Sequence, residues 1–177
     1  MSLVYITGIS AAGKSTVCEE LRGRGYEAHD ADEDGFTSWR HKVTNEPTHR
    51  PDDIAERTND WYAHHDWKID RERVAALADN AKDKLAFLCG TTANDAEVWD
   101  LFGQVICLTL DEETLKQRLT TRTNNDFGKS PDELSNVLGW HKSSEKAYKQ
   151  LGAIMIDAAR PIDVVVDAIL SEVKEQK

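Results

Sequence analysis

Five short, mostly apolar runs are spaced along the chain and alternate with amphipathic stretches of helical periodicity. They cover residues 3–7, 26–29, 85–89, 105–110 and 153–156. A run such as 85–89 has no polar alternation, which is typical of a strand buried on both faces of a sheet. Strands that alternate with helices form parallel sheets with right-handed crossovers. The pattern therefore predicts an α/β fold, a three-layer sandwich with helices on both faces of a five-stranded parallel sheet.

Local signals delimit the helices. A helix from about Lys14 is expected to end at Gly23-Arg24-Gly25, and a long helix should begin at Pro131 and end at Gly152. An apolar stripe over residues 74–81 favours helix across most of residues 60–83. Residues 36–59 contain turn signals without a clear period. We therefore expect residues 36–83 to form a largely helical insert.

The loop after the first strand carries the clearest motif. Residues 8–16 read G-I-S-A-A-G-K-S-T and lie between a strand and a helix, the context that the phosphate-binding pattern GxxxxGK[ST] requires. Gly8 and Gly13 allow the backbone N–H groups to point at phosphate oxygens. Lys14 is placed to reach the β- and γ-phosphates, and the Ser15 hydroxyl is placed to bind Mg²⁺. The remaining positions expected to contact the nucleotide are Ser10, Ala11, Ala12 and Thr16.

An acidic cluster follows the second strand. Asp30, Asp32, Glu33 and Asp34 are four acids within five residues, and such a run is often only a solvated turn. Because ligands bind at the carboxyl ends of parallel strands, a functional interpretation is favoured here. Asp32, and after it Asp30, can accept a proton from an acceptor hydroxyl or hold Mg²⁺. Asp32 is thus a candidate for catalysis, acceptor binding and metal binding.

Two arginines precede a polar loop after the fourth strand. Arg118 and Arg122 are four residues apart on a predicted helix and should share one face. The simpler interpretation is a solvated helix face followed by a surface turn. The functional interpretation makes residues 122–131 a closing lid, whose arginines neutralise charge on a transferred phosphoryl group.

The insert holds most of the chain's tryptophans and several basic residues. Arg50 and Arg57 are candidates to bind an anionic acceptor, and aromatic residues cluster at positions 61–67. These rings can stack a flat acceptor such as a base, or they can simply pack the insert against the sheet. The sequence does not decide between the two.

Composition limits the class of protein. The 177 residues carry a net charge of −10, which argues against a long nucleic acid as partner because a phosphate backbone requires a basic face. No apolar run reaches the roughly 20 residues of a membrane span. Cys18, Cys89 and Cys107 are far apart and form no CxxC pair, so we expect buried free thiols and a cytoplasmic protein. Residues 1–177 are expected to form one domain, as a monomer or a homodimer.

In these motifs the chain resembles the small P-loop kinases, a group that includes adenylate, shikimate and gluconate kinases. The resemblance spans residues 3–170 and rests on the GISAAGKST loop, the Asp30-Ala31-Asp32 triplet, the Arg118/Arg122 pair and residues 156–161. It implies a sheet order of 2-3-1-4-5 and the use of ATP and Mg²⁺. It also implies that Asp30 and Asp32 serve acceptor binding, proton transfer and Mg²⁺ contacts, and that Arg160 lies in the stretch beside the adenine ring.

Three departures from the family pattern limit what the resemblance implies. Ala11 replaces a common glycine, Gly90-Thr91-Thr92-Ala93-Asn94 replaces the glycine-rich end of the third strand, and the insert matches no acceptor signature that we recognise. In addition, no acid ends the third strand. The expected activity is therefore ATP- and Mg²⁺-dependent phosphoryl transfer to a small acceptor, either a nucleoside or nucleotide or a polar sugar-like metabolite. The alternative is a nucleotide-binding ATPase or switch that acts on a protein partner.

Overall fold

A computed structural model describes residues 2–123 and 125–175. The strands are β1 (Leu3–Gly8), β2 (Glu27–Asp30), β3 (Thr37–His41), β4 (Pro47–Thr48), β5 (His65–Ile69), β6 (Ala86–Cys89), β7 (Gln104–Thr109) and β8 (Ile154–Asp157). The helices are α1 (Lys14–Gly23), α2 (Asn59–His64), α3 (Arg71–Asn80), α4 (Glu112–Thr121), α5 (Pro131–Gln150) and α6 (Ile162–Glu175). None of these described helices combines the length and apolarity needed to cross a bilayer.

Five of the strands form a parallel sheet in the order β2-β6-β1-β7-β8. When only these five strands are counted, from the N-terminus, their order is the predicted 2-3-1-4-5. The labels β6, β7 and β8 are higher because three further strands, β3 to β5, lie in the insert. Tyr5 of β1 is in register with Leu88 on one side and Val105 on the other. The central strand β1 therefore places the end of the phosphate-binding loop in the middle of the sheet edge.

Alternate residues of β1 enter two different cores. Val4 and Ile6 pack with apolar residues of α1, α4 and α6 on one face of the sheet. Leu3 and Tyr5 pack with residues of α3 and of segment 95–102 on the other face. This alternation follows from the two-residue period of a strand. It confirms the predicted three-layer sandwich.

Several predicted helix boundaries are confirmed by their caps. The Asp111 carboxylate accepts a hydrogen bond from the Thr114 N–H at 2.8 Å and begins α4. Ser130 caps α5, with Pro131 in the first turn. Residues 95–102 form no continuous helix but two single turns of 3₁₀ helix, at residues 95–97 and 99–101.

The prediction of a largely helical insert is wrong for half of the segment. Strands β3, β4 and β5 form an antiparallel sheet in the order β4-β3-β5, and the insert's helices are limited to α2, α3 and one 3₁₀ turn. Trp39 pairs with Trp67, and Thr37 pairs with Ile69. Residues 37, 39 and 41 and residues 65, 67 and 69 alternate with polar neighbours, which is a strand period. Helix is present at both ends of the predicted range, in α2 and in α3, and the stripe at Val74 and Leu77 lies in α3.

The close approach of β1 to β7 at Gly8 yields a stability prediction. Gly8 has a φ of +145°, and a Cβ added there would lie 2.6 Å from the Leu108 carbonyl oxygen. Because that oxygen belongs to the neighbouring strand, it can move only if the two strands separate. We expect Gly8→Ala to lower the free energy of unfolding by about 1–3 kcal/mol, measured by urea denaturation.

A matched control is available in α1. A Cβ at Gly23 meets no atom within 4 Å, and this glycine lies in helical backbone. Gly23→Ala should therefore leave stability unchanged or raise it by up to about 1 kcal/mol. Equal unfolding midpoints for the two variants would contradict the argument from close approach.

Candidate functional site

The loop between β1 and α1 holds a strained but ordered backbone. Gly13, directly before α1, has a φ of +102°, and the Ala12 N–H donates to the Ile9 carbonyl at 3.0 Å. Ala11 also has a positive φ, +69°, so it adopts the left-handed conformation that glycine usually supplies. Ala11 therefore keeps the turn, at a cost of about 1–2 kcal/mol in backbone energy. The N–H groups at the start of α1 remain directed at the loop's interior.

Lys14 is held inside this loop by carbonyl oxygens. Its Nζ donates to the Gly8 oxygen at 2.8 Å and to the Ile9 oxygen at 3.1 Å. Burial of the ammonium group lowers the pKa of Lys14, and the charge of Asp32 is the strongest opposing influence. The two carbonyls orient the ammonium group without neutralising it. The loop is therefore well suited to receive an anion.

The two arginines of the α4 region converge on the same loop. Arg118 donates to the Ala12 oxygen at 3.3 Å and to the Ala158 oxygen at 2.8 Å, so it joins the loop to the turn after β8. Arg122 lies just past the last helical residue and donates to Ser10 Oγ at 3.1 Å. Burial lowers the pKa of Arg122, and its buried Nε has no hydrogen-bond partner in the described parts of the chain. An unpaired donor in this position also fits an anionic ligand.

These cations line a cavity of about 400 Å³ beside the loop. Arg160, from the turn after β8, also lines it, and so do the loop positions predicted to contact a nucleotide, namely Ser10, Ala11, Ala12, Gly13, Lys14, Ser15 and Thr16. Gly8 contributes its carbonyl to Lys14 from the floor of the loop. The structure thus brings together the predicted nucleotide-contacting residues. Their positive charge is concentrated locally in a chain of net charge −10.

The two predicted acids have different environments. Asp30 is 4% exposed, and its Oδ1 accepts hydrogen bonds from the N–H groups of Asp32 and Glu33 at 3.0 and 3.3 Å. Asp30 therefore shapes the turn after β2 and does not line a cavity. Asp32 is exposed at the cavity wall, and its Oδ1 accepts from Trp67 Nε1 at 3.0 Å and from Thr37 Oγ1 at 2.9 Å. Both donors come from the antiparallel sheet of the insert.

The oxygen donors near the loop suit a Mg²⁺ ion that arrives with a nucleotide. Across residues 2–123 and 125–175, no group of three His, Cys, Asp or Glu side chains is arranged to hold a metal. Mg²⁺ commonly binds phosphate oxygens and water with only one or two protein ligands. The Ser15 hydroxyl and the Asp32 carboxylate both line the nucleotide-side cavity and fit that role. Asp30 Oδ1 already accepts hydrogen bonds from two backbone N–H groups of the turn after β2.

A second cavity, of about 490 Å³, shares Ser10, Lys14, Asp32 and Asn125 with the first. Its ring side chains come from the insert, the 125–131 segment and α5: Trp39, Tyr62, His65, Trp67, Phe127, Trp140 and Tyr148. Trp61 lies outside the cavity lining and packs against Trp39 at a centroid distance of 4.9 Å. Some of the insert's rings therefore line a cavity, and Trp61 packs against one of those rings.

Arg50 and Arg57 bind a residue of the predicted lid. Arg50 Nη2 lies 2.7 Å from Asp126 Oδ1, and Arg57 Nη1 lies 2.7 Å from Asp126 Oδ2. Arg57 is 6% exposed and also donates to two carbonyls of its own loop, at Pro51 and Asp52. Arg57 does not line the second cavity, whereas Arg50 lines its edge. Both arginines thus connect the insert to segment 125–131, and residue 124 of the predicted lid lies outside the described residues.

The second contact between insert and lid involves a buried acid. Glu133, in the first turn of α5, is fully buried, and its two oxygens accept from the Tyr62 hydroxyl and from the Gly128 N–H at 2.5 and 2.8 Å. Arg50 lies 3.7 Å from the same carboxylate. Burial and the hydrogen bond to Glu133 raise the pKa of Tyr62. Segment 125–131 is therefore connected to the insert by ion pairs at Asp126 and by hydrogen bonds to Glu133.

The sequence analysis missed a buried acid that supports two residues of the second cavity, Thr92 and Tyr148. Asp95, in the loop after β6, is 5% exposed and accepts hydrogen bonds from the hydroxyls of Tyr5 and Tyr148 at 2.9 and 2.6 Å and from the Thr92 N–H at 3.0 Å. Burial raises the pKa of Asp95, and these donors oppose the rise. Its neighbour Thr91 donates to the carbonyl that ends β1 at 2.7 Å. Nothing in the local sequence distinguishes Asp95 from a surface turn residue, because its partners are distant in the chain.

The similarity of this chain to known proteins agrees with the fold. A family model described as an AAA domain matches residues 4–139, from β1 into α5. No curated protein sequence matches the chain.

Several solved structures share the fold, and small-molecule kinases are among them. Shikimate kinase from Aquifex aeolicus vf5 gives a TM-score of 0.62 at 17% identity, over 98% of this chain and 97% of that chain. A gluconokinase from Sinorhizobium meliloti 1021 gives 0.57 at 17% identity, over 99% and 93%. Deoxyadenosine kinase from M. mycoides, with bound dATP, gives 0.56 at 17% identity, over 97% and 99%. The chain therefore has the P-loop kinase fold that its motifs indicated.

The lid contact at Asp126 yields a prediction with a pH dependence. Arg57, and with it Arg50, holds the pKa of Asp126 below its ordinary value, so folding favours the ionised carboxylate. This stabilisation is present above the ordinary aspartate pKa of about 3.9 and is lost as the pH falls through the lowered folded value. Asp126→Asn should lower the free energy of unfolding at pH 7 by about 1–3 kcal/mol, because Arg57 stays buried with a weaker partner.

The measurement is urea denaturation at pH 7 and at pH 3. The wild-type chain should lose more stability than Asp126→Asn between these two values. Asp52→Asn is the control, since the Asp52 side chain is exposed and forms no hydrogen bond with any described residue. An identical pH dependence for the wild type and Asp126→Asn would show that the carboxylate does not stabilise the lid.

Proposed function

The chain belongs to the AAA domain family, and on that premise we propose that it transfers the γ-phosphoryl group of ATP to a hydroxyl group of a small molecule. The observation that carries this proposal is the pair of cavities that meet at Lys14 and Asp32. One cavity is lined by cations, and the other by aromatic rings. An enzyme that only hydrolysed a nucleotide would have no use for the second.

The nucleotide side is built for a polyphosphate. Lys14 and Arg122 offer positive charge that is oriented by carbonyl and hydroxyl oxygens, and Arg118 holds the loop against the turn after β8. Phosphoryl transfer depends mainly on positioning and on charge neutralisation, which these groups would supply. Mg²⁺ bound at the Ser15 hydroxyl would neutralise further charge on the phosphates. Arg160 lines the same cavity on the side of the Ala158 turn, which suits contact with the nucleotide's base or ribose.

Asp32 is the best candidate for the general base. Its Oδ1 is fixed by Trp67 and Thr37, and no donor within the described ranges is bonded to Oδ2. The acceptor oxygen would attack the γ-phosphorus while its hydroxyl proton passes to Asp32 Oδ2. The bond from the γ-phosphorus to the β–γ bridging oxygen would break, and ADP would leave. Such a base must first lie within hydrogen-bonding distance of the attacking hydroxyl group.

The lid contacts support closure over both substrates. Arg122 donates to Ser10 of the loop, and it lies just before the segment that Arg50 and Arg57 hold through Asp126. Closing the segment over the site would exclude water, which would otherwise compete with the acceptor for the phosphoryl group.

The direct test is ADP release from ATP·Mg²⁺ with a panel of nucleosides, nucleotides, sugars, sugar acids and hydroxy acids, each compared with a blank lacking acceptor. We expect at least one class to raise ADP release about 100-fold or more above the blank, since excluding water suppresses hydrolysis. A uniformly slow rate with every acceptor would contradict the kinase proposal. That result would favour the ATPase or switch that acts on a protein partner.

A substitution at the candidate base separates catalysis from binding. Asp32→Asn keeps the shape and can still accept from Trp67, but the amide cannot take up the hydroxyl proton. We expect the transfer rate to fall by about 10²–10⁴-fold while nucleotide affinity changes less than about threefold, measured by coupled ADP assay and by calorimetry. Glu33→Gln is the control, because Glu33 is exposed and lines neither cavity. Unaltered transfer in Asp32→Asn would exclude this base.

A further inference from the structure

The two cavities that meet at Lys14 differ in how their charges are compensated. On the nucleotide side, Lys14 and Arg122 are held by carbonyl and hydroxyl oxygens, so their charge is available to a ligand. In the aromatic cavity, Lys42 Nζ lies 3.5 Å from Asp66 Oδ1, and Arg50 lies 2.7 Å from Asp126. Each cation of this cavity beyond Lys14 therefore already has a carboxylate partner.

Charge pairing of this kind disfavours a charged acceptor. A phosphate or carboxylate entering the aromatic cavity would have to break an existing pair and leave a carboxylate without a partner, which is costly in a partly desolvated site. A cationic acceptor meets the converse problem, because Asp66 is already paired with Lys42 and the proposed mechanism uses Asp32 Oδ2 to take the proton of the acceptor hydroxyl. The occupant that leaves these pairs intact is neutral.

The walls of the cavity favour a flat ring. Trp39 and Trp67 are a cross-strand pair of the insert sheet with ring centroids 5.3 Å apart, and Tyr62 lies 5.8 Å from Trp39. Phe127 of the lid extends this surface, with its ring 6.2 Å from that of Tyr62. Base–aromatic stacking tolerates different bases because each base has a π-face.

A few polar groups stand among the rings. The hydroxyls of Thr92 and Ser144 and the His65 imidazole line the same cavity. Each already donates to Asp95 or to a backbone carbonyl, so each can accept a hydrogen bond from the edge of a heteroaromatic ring. Trp67 connects the ring surface to the reacting end, because its indole N–H donates to Asp32. A ligand stacked on this sheet would carry any hydroxyl it bears toward the Lys14 end of the cavity.

We infer that the phosphoryl acceptor is a neutral molecule that joins a heteroaromatic ring to a hydroxyl group, the chemical class of a nucleoside. The inference rests on the proposed kinase function and narrows its acceptor. It replaces the expectation, drawn from Arg50 and Arg57, that the acceptor is anionic. Those two arginines hold the lid through Asp126 and are not free for a substrate.

Binding is tested first and does not depend on turnover. The ligands are adenosine, guanosine, cytidine and uridine, their 5′-monophosphates, gluconate and choline, titrated by calorimetry into the full chain with a non-hydrolysable ATP analogue and Mg²⁺ present. We expect at least one nucleoside to bind about 10-fold or more tightly than its own monophosphate and than gluconate or choline. Preference for a monophosphate, gluconate or choline, or no binding of any nucleoside, would overturn the inference.

The same ligands in the ADP-release assay separate this inference from the proposed function. Transfer to a sugar acid or a nucleotide in preference to a nucleoside would agree with the kinase proposal. It would contradict the inference that the acceptor is a neutral molecule with a heteroaromatic ring. Nucleoside binding without ADP release from any acceptor would overturn the kinase proposal, while the nucleoside site would stand.

Variants of Trp39 test the stacking surface. Trp39→Leu removes the π-face and should raise the KM for the nucleoside, or its Kd, about 10-fold or more, while Trp39→Phe should restore most of the affinity. Trp99→Leu is the matched control, since Trp99 lies outside the insert and does not line the cavity. Thermal unfolding identifies variants that fail to fold. Equal affinity in Trp39→Leu and the wild type would contradict stacking at this surface.

Asp66→Asn tests the charge argument alone. The substitution leaves Lys42 without its carboxylate and so creates an available cation in the cavity. The ratio of monophosphate to nucleoside affinity should shift about 10-fold toward the monophosphate, with nucleoside affinity nearly constant. An unchanged ratio would show that paired charges do not set the preference for a neutral acceptor.

Discussion

The structure depends on cations that are oriented without being neutralised. Lys14 is held by the carbonyls of Gly8 and Ile9, and Arg118 by those of Ala12 and Ala158. Carbonyl dipoles fix the direction of a guanidinium or ammonium group and leave its net charge available to a ligand. A chain with ten more acids than bases could easily have paired these groups with carboxylates. It instead engages Asp30 in the turn after β2 and Asp95 with the Tyr5 hydroxyl, and neither carboxylate forms an ion pair with Lys14 or Arg118 in the described residues.

The part of the fold that follows from local pattern could be predicted from the sequence. The strands of the parallel sheet are short apolar runs, and the motif from Gly8 to Thr16 contains its own turn, charge and helix start within nine residues. The caps at Asp111 and Ser130 are equally local. Residues close together in the sequence determine each of these elements. This is why the predicted sheet order and layers were confirmed.

What could not be predicted depends on partners that are distant in sequence. The aromatic residues at positions 61–67 were assigned to a helix, but α2 ends at His64 because β5 pairs with β3, more than twenty residues earlier. Asp126 and Arg57 are 69 residues apart, and Asp95 and Tyr5 are 90 residues apart. No periodicity in the sequence indicates which distant residues will be in contact. The second cavity is lined largely by residues from segments that are distant in sequence, whereas the first is built around the loop from Ser10 to Val17.

The hydrogen bond from Trp67 to Asp32 has a consequence of a different kind. Indole emission responds to charge and hydrogen bonding at its ring nitrogen, and this nitrogen is bonded to the carboxylate that faces both cavities. The hydrogen bond therefore places an optical reporter at the carboxylate that we propose as the base. Proton uptake by Asp32, or the arrival of a cation beside it, would change the environment of this indole, one of five in the chain, so that events at the site can be followed through tryptophan emission without any label.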